Sequence, residues 1–341
     1  MRGGWKNAFR SNSLLKATLM NKAFARIAAG AVMTLGASVF MARAEEATTP
    51  VSAGVAVGTL PCDVAFSPDG RRVYVVNAVT QNVSVIDVAS GLVVGTIALK
   101  ESPRKIAVSA DGAQAWVTLS TRNSVAVIDL ATGTLLAPIA VGHFPTSVAF
   151  GPGVAYVTNS GAHSVSIVDI ASRQAVASIA VGDEPRALAF SPNGTRACVA
   201  NFRVGTVSII DVEAGAICHT ITVPGGFPSA IAFAGGTAFV AHGGGRVSVI
   251  DVGAGAVECE ITVGSGPCGL AVSPDERTLL VTNQNDDTVS VVDVATRTVR
   301  DTVAVGLRPV AVAISPDGTA AYVADCGDST VSVIDLEWLA I

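Results

Sequence analysis

Six cysteines and four histidines are the residues of this 341-residue chain best suited to chemistry. His242, Cys268 and Cys326 with its neighbour Asp325, joined by Cys62, offer the imidazole, thiolate and carboxylate donors that suit copper or zinc. No two cysteines stand at the CxxC spacing of a local ligand pair, so only a fold that gathers distant segments would bring these donors together. A second set, Arg104, Arg186 and Arg308 with Lys105, carries the planar or point cations that hold a carboxylate. His143 in "GHFP" and His163 in "GAHS" have the right side chain for a general base, which also needs a carboxylate partner and a cleft. The string "HGGG" at 242–245 looks like an esterase oxyanion loop, but the chain has no GxSxG nucleophile elbow to serve it.

What positions these residues is a repeat. The Asp closing each "SVID"-like run recurs as Asp87, Asp129, Asp169, Asp211, Asp251, Asp293 and Asp335, at intervals of 42, 40, 42, 40, 42 and 42 residues. An opening proline keeps step with it: Pro61, Pro103, Pro145, Pro185, Pro228, Pro267 and Pro309. The first six units each hold four short runs of alternating or apolar residues, in the first unit "CDVAFS", "RVYVVN", "NVSVIDV" and "GLVVGTIAL", with the turn "SPDG" after the first. In that turn Pro presets φ, Asp bonds its own backbone and Gly accepts positive φ. A period near 40 residues with four strands per unit predicts an all-β, seven-bladed β-propeller of four antiparallel strands per blade.

The two ends of the repeat agree with that expectation. The last unit stops at "VSVIDLEWLAI" without a fourth strand, while "TTPVSAGVAVG" at 48–58 reads as a fourth strand without the preceding three. The N-terminal strand is therefore expected to complete the last blade and close the ring, removing an open sheet edge.

The signatures "VSVID", "SPDG" and "YVVN", "YVTN", "LVTN", "YVAD" resemble those of the YVTN-repeat β-propeller family of exported and surface proteins, across essentially all of residues 50–341. No unit carries the His and Trp-Asp marks of the WD type. The resemblance implies a fold more than a function, since similar propellers serve as binding scaffolds, lactonase-like enzymes, dehydrogenase subunits and haem carriers. In such blades the first strand lines the central channel, and the loops joining strand four to one and two to three share one face. That face is expected to carry the residue after each opening Pro (Cys62, Arg104, Thr146, Arg186, Ser229, Cys268, Val310) and the end of each "YVTN" (Asn77, Leu119, Asn159, Asn201, His242, Asn283, Asp325). Asp63, Asp183 and Glu184 fall on the same rim, which favours mixed solvated charge over an anion site.

Compartment follows from the first 44 residues, which hold seven Lys or Arg, no acid, and the apolar run "IAAGAVMTLGASVFM" ending near Ala42-Arg43-Ala44. Residues 1–44 are expected to be a cleaved export signal, with Met20 as a second candidate start because 20–44 is a complete signal alone. The remaining 45–341 segment, the propeller, carries 15 basic against 27 acidic residues, a net charge near −12. Such an acidic surface is a poor holder of nucleic acid, and no other run is long enough to span a membrane. An even number of cysteines in an oxidising compartment favours disulfides. Cys62–Cys326 would staple the closing blade to the first, Cys268–Cys326 is the competing pair, and Cys218–Cys259 lie on fourth strands that splay apart. Cys198 occupies the slot that holds Tyr74, Trp116, Tyr156 and Tyr322 elsewhere, as a small core residue.

The function expected is an exported, monomeric, non-catalytic scaffold in the periplasm or at the cell surface, binding a partner protein or small ligand on its loop-rich face. The alternative is a periplasmic enzyme or enzyme subunit, of lactonase, lyase or metal-linked redox type, using the same face. No cofactor is required by the first reading.

Overall fold

The repeat folds as seven four-stranded antiparallel sheets arranged in a ring, each ordered first to fourth strand from the channel outward. The computed structural model describes residues 50–339, so the export-signal and start-site expectations lie outside the described residues. Blade one comprises Pro61–Phe66, Arg72–Asn77, Asn82–Asp87 and Leu92–Ala98. The last blade is built from Pro309–Ile314, Ala320–Asp325 and Thr330–Asp335, with Val51–Ala56 as its outer strand. That outer strand pairs antiparallel with the third, Val51 opposite Ile334 and Ala56 opposite Thr330. The strand Val51–Ala56 and the last strand thus share one sheet, as the sequence predicts, and the first strands of all seven neighbouring blades touch in a closed ring.

Seven apolar clusters hold the ring, one between each pair of blades. The closing interface packs Val64, Val75 and Ile86 of blade one against Ala311, Tyr322 and Val331 of blade seven. An aromatic on the second strand of one blade meets the first-strand Phe of the next: Tyr322 with Phe66 at 5.2 Å, Trp116 with Phe150 at 5.0 Å and Tyr156 with Phe190 at 4.8 Å between ring centroids. Cys198, fully buried in that aromatic slot, packs in one cluster with Phe233 instead.

Local chemistry sets the hairpins. Each closing Asp accepts a backbone N–H three residues on, as Asp87 does from Ser90 at 2.9 Å and Asp169 from Ser172 at 2.7 Å. These hydrogen bonds hold the Asp87 and Asp169 carboxyls below the usual carboxylate range. Two elements depart from the sequence expectation. The fourth strand of blade two is broken into Thr134–Leu135 and Ile139–Ala140, because Pro138 between them has no N–H for the ladder. A short helix, Leu336–Leu339, follows the last strand, its first turn capped by Asp335 accepting from the Trp338 N–H at 3.1 Å. Among the described residues no helix is long and apolar enough to cross a membrane.

Candidate functional site at the channel mouth

At blades one, three, four, six and seven the strand-four-to-one and two-to-three loops are tied together by the same two hydrogen bonds. The residue before the opening Pro offers its carbonyl to the N–H just after the second strand, as Leu60 does to Ala78 and Phe144 to Ser160, both at 2.9 Å. To present that carbonyl the pre-proline residue adopts a left-handed backbone, even where it is Leu60, Phe144, Glu184 or Arg308, with φ between 51° and 58°. A non-glycine residue held there costs about 1–2 kcal/mol, and the blade accepts that cost at several loops of this one face. The strained residues direct their side chains to the rim.

Within this rim the channel opens into a cavity of about 810 Å³. All seven residues that follow an opening Pro line it: Cys62, Arg104, Thr146, Arg186, Ser229, Cys268 and Val310. Four of them are joinery. Each donates a thiol or hydroxyl hydrogen to the opening-Pro carbonyl of the next blade: Cys62 to Pro103 at 3.6 Å, Thr146 to Pro185 at 2.8 Å, Ser229 to Pro267 at 3.0 Å and Cys268 to Pro309 at 3.4 Å. Blade two dispenses with this bond at Arg104, and Ser120 takes the Pro145 carbonyl in its place at 2.7 Å. Ser120 reaches it because the blade-two loop winds into a 3₁₀ turn, Ser120–Arg122, ended by Asn123. Asn123 in turn accepts the Phe144 N–H at 3.0 Å, placing the Phe144 ring beneath the Arg104 guanidinium, 5.8 Å away. Arg186 lies 3.2 Å over Phe202, whose ring packs on Phe227 with centroids 5.3 Å apart.

Two arginines with aromatic backing thus flank Thr146 in one cavity. Partial burial and the positive charge of Arg104 both hold the Arg186 guanidinium below its ordinary value, against the pull of Glu184, 3.7 Å away. Arg104 forms no ion pair among the described residues, whereas Glu184 also binds Arg203 at 3.3 Å. Arg308, His143 and His163 line the same cavity. His163 accepts the Glu184 N–H at 3.2 Å and stands 3.8 Å from Asp183; the His143 ring packs over Gly161, where an added Cβ would lie 2.2 Å from Nδ1.

Of the three acids expected at the rim, Asp183 and Glu184 stand beside His163, Arg186 and Arg203, and Asp63 does not. Asp63, only 6% exposed, faces the channel wall, with Oδ1 2.8 Å from Lys105 Nζ and Oδ2 accepting the Ile106 N–H at 2.8 Å. Burial pulls the Lys105 ammonium down, but the Asp63 charge and hydrogen bond outweigh it and hold Lys105 above its usual value. Lys105 is therefore spent on an interblade pair. Asp183 does not line the cavity, which leaves Glu184 as its acidic lining residue against Arg104, Arg186 and Arg308.

The proposed metal set does not assemble. His242, 1% exposed, and Asp325, fully buried, turn into their own blades and stay outside the cavity that Cys268 and Cys326 line. The cause is the position they share with Asn77, Asn159, Asn201 and Asn283, each of which donates Nδ2 to the third-strand Ser Oγ at 2.9–3.0 Å. His242 meets Ser248 at 3.0 Å in the same way, and Asp325 accepts from Ser332 Oγ at 2.7 Å. A glycine of the adjoining loop presses on this pair: a Cβ on Gly264 would lie 2.5 Å from Asn283 Cγ, and one on Gly306 2.6 Å from Asp325 Cγ. In blade two all three members change together, to Lys100, Leu119 and Ala126, and Leu119 joins the apolar core at 6% exposure. Among the described residues no three His, Cys, Asp or Glu are arranged to hold a metal ion. Burial also pushes the Cys62 thiol up to about 12 and raises Cys268 and Cys326, which disfavours thiolate ligands.

Ser248, His242 and Glu260, with Nε2 3.3 Å from Oε1, have the composition of a hydrolytic triad. Ser248 is fully buried and His242 is held neutral by burial, so no substrate reaches this group; it is the blade's Asn–Ser pair in another form.

The cysteines do not pair in the structure: all six are free thiols. The Cys62 thiol donates to Arg104 O of blade two at 3.2 Å and forms no bond with Cys326. Cys218 donates to Ile209 O of its own blade at 3.3 Å, while Cys259 receives Arg297 of blade six at 3.6 Å, consistent with outer strands that splay. What sequence reasoning missed were the aromatic platforms, Phe144 and Phe202, signalled only as apolar residues in loops otherwise polar.

No family model matches the chain, and no curated protein matches it. Among solved structures it is similar to a chain of hydrazine synthase from Kuenenia stuttgartiensis, with a TM-score of 0.77 and 23% identity over 82% of this chain and 97% of that one. At that identity the likeness carries the propeller fold.

Proposed function

We propose that the chain is an exported, non-catalytic propeller of the YVTN-repeat type that binds an anionic small ligand at the loop-side mouth of its channel. The observation that carries this is the pair Arg104 and Arg186. They stand at two places in a ring whose other polar members bond the next blade, each rests on a phenylalanine, and each raises the cost of the other's charge. An anion between them would relieve that repulsion and accept from two fork-shaped donors. Such a site in a propeller segment of net charge near −12 is a local inversion of the surface field.

The competing reading, a periplasmic enzyme or enzyme subunit, has the shared fold of the hydrazine synthase chain on its side. At the cavity its support is His163, which stands 3.8 Å from Asp183. Export, with cleavage after Ala44, rests on the N-terminal sequence alone and is checked by the N-terminus of protein recovered from the periplasm.

Titration calorimetry with benzoate tests the binding site. Arg104→Gln and Arg186→Gln are each expected to weaken binding about tenfold or more, while Arg173→Gln, in an outer hairpin, leaves it unchanged. Equal affinity across all three variants would refute the site.

A further inference from the structure

The cavity is divided by chemistry. Blades two to four contribute Arg104, Lys105, His143, Thr146, His163, Glu184 and Arg186; blades six, seven and one contribute mainly Cys268, Val310, Cys326, Leu60, Pro61 and Cys62. The thiols of the second half are protonated because burial raises all three. The Cys62 and Cys268 hydrogens are already given to main-chain carbonyls, so those sulfurs face the cavity as soft, weakly polar surface. Leu60 adds an exposed apolar side chain at the edge.

We propose that this cavity selects a small amphiphilic monocarboxylate, an aromatic or medium-chain aliphatic acid, with its carboxylate on Arg104 and Arg186 and its hydrocarbon body against Leu60, Val310 and the three cysteines. The proposal rests on the anion-binding reading above and adds the identity of the other end of the ligand. A bare oxyanion would satisfy the arginines and leave the sulfur-lined half in water. A hydrocarbon body removes that surface from water, and a cavity of about 810 Å³ has room for a ligand of this class. Arg308, exposed at the rim on the same side, faces solvent in this arrangement.

The test is calorimetry of the wild-type chain with acetate, benzoate, octanoate, octanedioate and inorganic phosphate. Octanoate and benzoate are expected to bind at least about tenfold tighter than acetate or phosphate. Val310→Ser should narrow that ratio, and Arg104→Gln should weaken every anion. Phosphate and octanoate binding alike would overturn the amphiphile and leave the anion site standing. No binding by any of the five would overturn both. Octanedioate binding more tightly than octanoate would place a second carboxylate on Arg308 and overturn the single-headed ligand.

Discussion

Replacing Asp325 by Asn should stabilise this protein, and the gain should depend on pH. Asp325 is fully buried and ends the second strand of the closing blade, where blades one, three, four and six have Asn. Burial raises its carboxyl from 3.8 to about 6, even though the Ser332 hydroxyl and N–H donate to Oδ2 at 2.7 and 2.9 Å; its Oδ1 has no partner. Because the folded value lies above the unfolded one, the folded state binds a proton more readily. The stability this group allows is fully present below pH 3.8 and is lost as pH rises through about 6. A shift of roughly two units corresponds to about 3 kcal/mol of destabilisation at neutral pH, a ceiling that local relaxation lowers to about 2–3. Asn removes the charge and can donate to Ser332 Oγ, as Asn77 donates to Ser84 at 3.0 Å. Urea denaturation at pH 7.5 and at pH 4 is the assay. The variant should be more stable by about 2–3 kcal/mol at the higher pH and by little at the lower. A variant less stable at pH 7.5, or equally stabilised at both, would refute the reasoning.

Lys105→Met should destabilise the ring by about 3–5 kcal/mol by leaving the buried Asp63 carboxylate unpaired, and Asp63→Asn combined with it should restore most of that loss in the same denaturation assay. Glu276 holds φ 59° in a turn where six other blades have glycine, so Glu276→Gly should gain about 0.5–1 kcal/mol after the unfolded-state entropy of glycine is counted. Deleting residues 45–58 removes the outer strand of the closing blade and exposes the Thr330–Asp335 edge; the melting temperature should fall by several degrees, about 2–4 °C per kcal/mol lost.

The fold was legible because each blade repeats a marker for every strand end, and because the missing last strand and the orphan first one complement each other. Pro138 was visible in the sequence, but its effect depended on its falling between hydrogen-bonded positions of an outer strand. The rim was legible as positions: all seven post-proline residues do line one cavity. Their roles were not, because a thiol that bonds the next blade and a thiol free to bind metal look alike in sequence. His242 and Asp325 were misplaced for a related reason. They end a strand next to a loop, yet strand alternation and a glycine pressed against them turn the side chains into the blade. Asp63 and Lys105 sit 42 residues apart, one repeat, a pairing that only the ring closure of first strands brings together.

The most direct test of the binding claim is a crystal structure of residues 45–341 soaked with 4-bromobenzoate. The carboxylate should lie between Arg104 and Arg186 over Thr146, with the bromine signal in the sulfur-lined half beside Val310. Bromine signal only outside the channel mouth, with the two arginines unengaged, would contradict the account.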